Sequence, residues 1–429
     1  MIDIHIDIED IRREPEKYRQ AIAAKRIDLD LDELLDVDNR RRAMVYETDL
    51  LRAERNKITA AVKAGAGERE ELIAGARRVG EQISNLEESL LMLQKRFATL
   101  AGFVPGLPAD GVPLGNDDAD NQEIKRVGVV HEFDFPLRDH LELAALHGML
   151  ELDGARNIAG SRAYALVGLG ALLEMAVLRF ALDKLVAKGF VPVLPPLMVK
   201  AEAMYGTGYF PMGEEQAYTL EKDGLFLTGT SEVGMVAMHM HKTLDVSQLP
   251  ANFVGISPCF RREAGAAGRD TKGLYRVHQF QKVEQVVFCE NDAALSEKIH
   301  YELLQNSEEI VQALELPYRV VAVCAGDMGL GQVRKHDIET WMPSRRAYGE
   351  THSCSTFHDF QARRLNIRYR DGQGAKTRQF VHTLNNTAIA SPRILIALLE
   401  NHQTADGAIK IPEALRPYLG GRFLLEPGK

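Results

Sequence analysis

The sequence predicts an α+β protein in two parts: a long antiparallel helical hairpin, then a body in which antiparallel strands alternate with helices. Three observations carry this reading. They are a heptad seam between Val37 and Leu100, a glycine-containing reversal that divides it, and two apolar runs of strand length, ending at Phe260 and Cys289, joined by a basic glycine-rich segment.

The seam comes first. Leu72, Ala76, Val79, Ile83, Leu86, Leu90, Leu93, Phe97 and Leu100 alternate in steps of four and three, and upstream Val37, Met44, Leu51 and Ile58 recur every seven positions. Lys63-Ala64-Gly65-Ala66-Gly67 lies between them and suits a chain reversal. At about 1.5 Å per residue the second helix runs roughly 43 Å, too long for a small domain to cover, so it is expected to stand in solvent. From Arg40 to Phe97 twelve basic residues face nine acidic ones, a local +3, although 52 Lys+Arg against 61 Asp+Glu give the whole chain −9. Charge fields decay over about 10 Å at moderate salt, so the local excess, not the sum, is what a polyanion meets. Charge alone fits a solvated coiled coil equally well.

The Pro/Gly hinge Gly102-Phe103-Val104-Pro105-Gly106-Leu107-Pro108 sets a boundary near residue 110, dividing 1–110 from 111–429. With 45% hydrophobic and 26% charged residues the composition is that of a soluble globular protein. The acidic N-terminus lacks the features of a secretory signal, and no apolar run approaches membrane-spanning length, so a cytoplasmic protein with no membrane partner is expected. Cys259, Cys289, Cys324 and Cys354 form no C-x-x-C pair, which favours buried thiols over a zinc ribbon or a disulfide framework.

In the body, a helix is expected over Ala171–Lys188, stopped by Gly189, and then an extended Phe190–Pro196 whose prolines favour a sheet edge or an interface. Gly168-Leu169-Gly170 follows no strand of a βαβ unit and is not a dinucleotide fingerprint. Phe253–Phe260 and Val277–Cys289 read as antiparallel strands joined by the loop Arg261–Arg276. A period of two places Phe280 and Glu284 on one face, about 13 Å apart, able to bracket a ligand with a ring and an amine. Arg261 and Glu263 likewise share a face. Further on, Phe380–Asn386 reads as a strand, Ser391 as an N-cap and Pro392 as the first helical residue, so that Arg393 falls in the first turn. An arginine there is unfavourable unless an anion is present, which points to phosphate. Taken singly, Lys282 and Glu284 read as an ordinary surface pair, and His278, His352 and His382 as packing residues.

Several of these segments resemble one family. FRREAG…GRDTKGLYRVHQFQKVE from Phe260 to Glu284 is similar to motif 2 of class II aminoacyl-tRNA synthetases in the form found in bacterial-type seryl-tRNA synthetases. HTLNNTAIASPRILIALLENHQ from His382 resembles motif 3, GFVPVLPPLM from Gly189 resembles motif 1, TGTSEV around Thr230 resembles the serine-binding loop, and YGETHSCS…DFQARRLNIRY from Tyr348 resembles the ATP and metal segment. The order is the family's, and with the arm it spans nearly the whole chain. The resemblance implies an antiparallel-sheet class II catalytic domain behind an N-terminal tRNA-binding coiled-coil arm. It implies activation of L-serine by ATP and transfer to tRNA(Ser), with tRNA(Sec) as a further acceptor suggested by kinship.

The resemblance also implies roles. Thr230, Ser231, Glu232, Arg261, Glu284, Asn385 and Thr387 would bind serine. Arg261, Arg262, Glu263, Arg276, Val277, Phe280, Glu350, Thr351, His352, Ser353 and Arg393 would bind ATP, with Glu350 and Ser353 holding Mg2+ and no zinc expected. On the arm, Arg40, Arg41, Arg52, Arg55, Lys57, Arg77 and Arg78 would meet tRNA. A homodimer would form about the Pro196 segment. Many relatives carry Gly-Ser where this chain has Asn386-Thr387, which bears on the atoms that touch the serine hydroxyl and not on the reaction. The rivals are an adenylating body that loads a carrier protein, a coiled-coil scaffold, and a threonine-specific relative. Each is separated from the first reading by an exchange assay or by arm deletion.

Overall fold

The computed structural model describes residues 4–265, 273–372 and 378–427. The chain divides into two compact units, Met1–Ile22 with Ile27–Val104, and Ala23–Arg26 with Pro105–Lys429.

The first unit is dominated by helices α1 (Leu31–Ala64) and α2 (Arg69–Gly102), each 34 residues long. The carboxylate of Asp30 accepts from Glu33 N and starts α1; Gly65, at φ 65°, ends it with its N–H on the Ala61 and Val62 carbonyls. All nine seam positions of α2 and the four of α1 are buried or half-buried, as a knobs-into-holes contact requires. Polar groups then fix the register. Arg52 reaches across to Glu87 at 2.8 Å, and the guanidinium of Arg41 lies 4.5 Å over the Phe97 ring. Asp38 is fully buried and takes hydrogen bonds from Arg12 and, at 2.8 Å, from Arg41.

The second unit is built on an eight-stranded sheet. Its strands are β1 (Gln122–Val127), β2 (Val191–Val193), β3 (Ala251–Phe260), β4 (Gln279–Cys289), β5 (Tyr318–Ala322), β6 (Arg334–Met342), β7 (Ala347–His358) and β8 (His382–Ala390), in the order β1-β5-β6-β7-β8-β4-β3-β2. Every neighbouring pair is antiparallel except β2 with β3 at the edge. Pro192 sits in that edge strand, where a missing N–H costs no interior ladder bond. Helix α3 (Leu169–Ala187) packs on β3, β4 and β8, and α5 (Ala293–Ala313) on β7 and β8, closing a core that includes Val177, Val283, Leu303, Val311, Ile338 and Leu384. Between them in sequence lies the short α4 (Ser231–Ala237).

Some expectations move. The predicted strand Phe380–Asn386 is two elements. Phe380 ends a short strand, Arg378–Phe380, that pairs with Arg368–Arg370 in a separate sheet, and β8 begins only at His382. Pro392 precedes the last helix, α6 (Arg393–Asn401), and is not its first residue; Ser391 gives no cap because its hydroxyl donates to Glu174. Arg393 therefore opens the helix. Of the loop Arg261–Arg276, residues 266–272 lie outside the described residues. Among the described residues no helix is long and apolar enough to cross a membrane. All four cysteines are free and buried.

Candidate active site

The central strands present one chemically dense face. Arg261 follows the last residue of β3, its N–H donating to the His278 carbonyl at 2.9 Å, and its guanidinium lies 5.3 Å over the Phe280 ring while Nε approaches the Gly229 carbonyl at 3.4 Å. On β4, Phe280, Lys282 and Glu284 share a face through the period of two. The β4–β8 register shifts between Val283 and Glu284, bringing Thr387 opposite Glu284, where its hydroxyl donates to the carboxylate at 3.4 Å.

Lys282 corrects a sequence expectation. Far from being a surface pair, Lys282 and Glu284 form an ion pair whose side chains are only 8% and 1% exposed. Lys282 also donates to Thr230 Oγ1 at 3.1 Å. Thr230 caps α4, and the next turn carries Glu232, buried, whose Oε1 accepts from Gln361 Nε2 at 2.7 Å. Gln361 is itself fixed because its own oxygen accepts from Thr383 at 2.6 Å. Burial pushes the Glu232 carboxyl up to about 7, and the negative charge of Glu284 adds to this against the opposing pull of Gln361 and Lys282.

A second group closes the site from the other side. Arg393 donates from Nε to the Tyr275 carbonyl at 3.1 Å and from Nη1 to the Glu350 carbonyl at 2.9 Å, with the Glu350 carboxylate at 3.5 Å. The anion that an arginine at a helix start calls for is, in this state, Glu350. Burial works against ionisation of Glu350, but Arg393, Lys335, Arg261 and Lys282 together outweigh it and hold the carboxyl well below the usual range. Ser353 lies across the β6–β7 pair from Asp337, a buried acid whose Oδ2 pairs with Lys335 at 3.1 Å.

These groups line one cleft. A space of about 650 Å³ is bounded by Glu232, Arg261, Glu263, Arg276, Glu350 and Arg393. It runs into a narrower slot bounded by Val277, Phe280, Lys282, Thr351 and Thr387, with Arg261, Glu350 and Arg393 common to both. Thr230, Glu284 and Asn385 sit behind this lining and are buried; the Asn385 Oδ1 has no partner. Glu263 and Arg276 pair with each other at 3.0 Å at the rim.

Other expected residues stand apart. Arg262 is exposed and lines neither space. Ser231 spends its hydroxyl on Ser257 at 2.6 Å. His352 is buried, contacts Thr351 Oγ1 at 2.8 Å, and is held neutral by burial, which lowers it to about 4. On the arm, Arg41 is committed to Asp38 and Phe97. Arg40, Arg52 and Arg77 pair with Asp36, Asp49 and Glu81 on their own helices. Arg55, Lys57 and Arg78 are exposed and in no ion pair among the described residues. The residues that sequence reasoning passed over are Lys282 and Gln361. The parity that selected Phe280 and Glu284 also selects Lys282; nothing local marks Gln361.

An aromatic ring beneath one arginine, a second arginine beside a carboxylate, and two buried acids behind them suit a ligand with a ring, phosphates and an ammonium. Residues 218–402 match the family described as tRNA synthetase class II core domain (G, H, P, S and T), and the antiparallel sheet with this cleft is the core of a class II aminoacyl-tRNA synthetase. Residues 5–108 match the family described as Seryl-tRNA synthetase N-terminal domain. The chain is 46% identical to the Serine--tRNA ligase of Deinococcus radiodurans over 98% of its own length and 99% of that protein's. It belongs to the seryl-tRNA synthetase family. The crystal structure of seryl-tRNA synthetase from Pyrococcus horikoshii complexed with ATP superposes with a TM-score of 0.90 at 37% identity, covering 99% of this chain and 100% of that one. The cytoplasmic Serine-tRNA ligase from Naegleria fowleri in complex with AMP gives 0.84 at 30% identity, covering 100% and 99%.

Proposed function

We propose that this chain is a serine–tRNA ligase: it activates L-serine with ATP to seryl-adenylate and pyrophosphate, then transfers the seryl group to the 3′ end of tRNA(Ser). The observation that supports the reading best is the meeting of Arg261, Arg393, Glu350 and Glu232 in one cleft, with Glu284 directly behind. Arg261 holds the α-phosphate, where negative charge builds as the serine carboxylate attacks. Phe280 stacks on the adenine, Glu263 and the Val277 backbone orient it, and Arg276 and Arg393 take the β- and γ-phosphates. Arg276 and Arg393 each trade a present carboxylate partner for phosphate oxygens. Glu232, Glu284 and Thr230 take the serine ammonium, and Thr387 and Asn385 its hydroxyl. A pocket whose buried polar groups are completed by that hydroxyl discriminates strongly against amino acids that lack it.

The class typically uses a divalent metal. Glu350, kept ionised, and Ser353 supply hard oxygen donors of the kind Mg2+ prefers. When bound, the metal would neutralise charge on the β- and γ-phosphates.

Serine-dependent ATP–pyrophosphate exchange by the purified protein, run beside threonine, alanine and cysteine, tests the assignment; exchange with threonine alone would refute it. A pH dependence follows from Glu232. The ammonium binds the ionised carboxylate, so serine affinity should be full above about pH 7 and fall by about tenfold per unit below it. Glu232→Gln should flatten that limb of the KM profile.

Residues 1–110 form the tRNA-binding domain and 111–429 the catalytic domain. The chain acts in the cytoplasm as a homodimer about the Pro196 segment. Support comes from the exposed apolar residues Leu172, Met175, Val191, Leu194 and Met198 on and around β2, a patch that a monomer would leave wet. Leu194, 80% exposed, is the test: Leu194→Arg should shift sedimentation toward the monomer at micromolar protein, and an unchanged dimer would place the interface elsewhere. Extension to tRNA(Sec) is tested by charging that transcript.

A further inference from the structure

We propose that Lys282 is a resident surrogate for the substrate ammonium: it fills the ammonium position between Glu284 and Thr230 while the cleft is empty, and serine displaces it toward the carboxylate and α-phosphate. The proposal rests on the seryl-adenylate reading of the cleft and extends it to a residue that reading leaves without a role.

The geometry is that of an occupied cation site. The Lys282 ammonium pairs with the Glu284 carboxylate and donates to Thr230 Oγ1 at 3.1 Å. A carboxylate and a hydroxyl at these positions are the partners assigned above to the incoming ammonium, so Lys282, already on Glu284 Oε2 and Thr230 Oγ1, competes with it for them. The surroundings explain why a surrogate is needed. Glu284 and Glu232 are both buried, and the amides of Gln361 and Asn385 on Glu232 bring no charge. Without a cation, two buried carboxylates that repel each other would be left together, and leaving one uncompensated there is strongly unfavourable. Arg261 is the other nearby cation, but it lies against Phe280 and Gly229 on the nucleotide side.

Displacement has a destination. Lys282 lines the slot together with Phe280, Arg261 and Thr387, and its long flexible side chain can turn along that slot. Serine brings a carboxylate with its ammonium, so the exchange is charge for charge: the ammonium takes over Glu284, and the freed lysine meets the carboxylate. An amine without a carboxylate must evict Lys282 and offers it nothing in return. Lys282 thereby selects for α-amino acids over simple amines, and it would touch the reacting carboxylate directly.

The test compares serine with 2-aminoethanol, which has the ammonium and hydroxyl but no carboxylate. In Lys282→Met, KM for serine should rise by about tenfold or more, while inhibition by 2-aminoethanol weakens much less or tightens, so the ratio of the two affinities falls by about tenfold. Lys282→Arg should recover part of that ratio. Equal weakening of both ligands would mean that the lysine only supports the fold and would overturn the proposal. A second measurement needs no variant. In the wild-type protein crystallised with a non-hydrolysable seryl-adenylate analogue, Lys282 Nζ should have left Glu284 and Thr230 and lie against the acyl or phosphate-mimicking oxygens; an intact Lys282–Glu284 pair beside the bound analogue overturns the displacement. Serine-dependent exchange by the wild-type enzyme is measured alongside. Its absence overturns both the functional reading and this one, whereas its presence with an undisplaced lysine overturns this one alone.

Discussion

Arg261→Ala should lower the rate of serine-dependent pyrophosphate exchange by about 10³-fold, with most of the loss in kcat, because a preorganised cationic donor aimed at developing charge acts mainly on the transition state. The side chain is held for that task by the Phe280 ring and the Gly229 carbonyl, and its backbone is pinned to His278. Little else should change. Phe280 is anchored in β4, paired with Cys259 of β3, and remains available to stack, so KM for ATP should move by only a fewfold. Arg261→Lys should restore only a small part, since a point charge cannot reproduce the planar fork of donors. Exchange within tenfold of wild type in the alanine variant would show that the α-phosphate is held elsewhere.

The second large effect is expected on the arm. Arg55, Lys57 and Arg78 are exposed and engage no carboxylate among the described residues, unlike Arg41, which Asp38 and Phe97 claim. Reversing all three charges, Arg55→Glu, Lys57→Glu and Arg78→Glu, should reduce aminoacylation efficiency on tRNA(Ser) by about 10²-fold or more. It should also flatten the dependence of log affinity on log salt by about one unit for each phosphate no longer neutralised. Amino-acid activation should be untouched. A parallel loss of tRNA-independent exchange would mean that the triple variant had damaged the body, and an unchanged salt slope would mean that the arm's cations only solvate a coiled coil. The contrast with Arg41 supplies a control: Arg41→Gln should lower thermal stability more than it lowers charging.

How much of this was legible beforehand depends on the range of the interaction involved. The hairpin was readable residue by residue, because each seam position repeats with the helix period and each glycine of the reversal states its own backbone preference. The β3–β4 pair was readable for the same reason. The start of the last helix was not. Ser391 followed by Pro392 has the form of a local cap, but the hydroxyl is drawn to Glu174, a residue more than two hundred positions away, and a local rule cannot see a competitor that only folding brings near. The break at Val381 is of the same kind, since Phe380 pairs with Arg368 in another sheet.

The site shows the same division at higher resolution. Phe280, Glu284, Arg261 and Arg393 were nameable from strand parity, a helix start and a family resemblance. Their neighbours were not. Whether Lys282 points to water or to a buried carboxylate is undecided by alternation along one strand, which says only that it shares a face with Glu284. The cover over that face comes from α4 and from β8, whose shifted register puts Thr387 opposite Glu284.

By itself, then, the sequence determined the helical hairpin, helix α3, the pair β3 and β4 and several of the chemical types in the cleft, because these follow from periodicity and residue chemistry within a few positions. Strands β1, β5, β6 and β7 and helix α5 were not among its expectations. The tertiary structure alone decided which charges are buried together, which arginines are already spoken for, and that Glu232, Glu284 and Lys282 are buried close to one another. The physical reason is that the energy of a charge is set by the dielectric and the partners around it, and both are assembled from segments far apart along the chain.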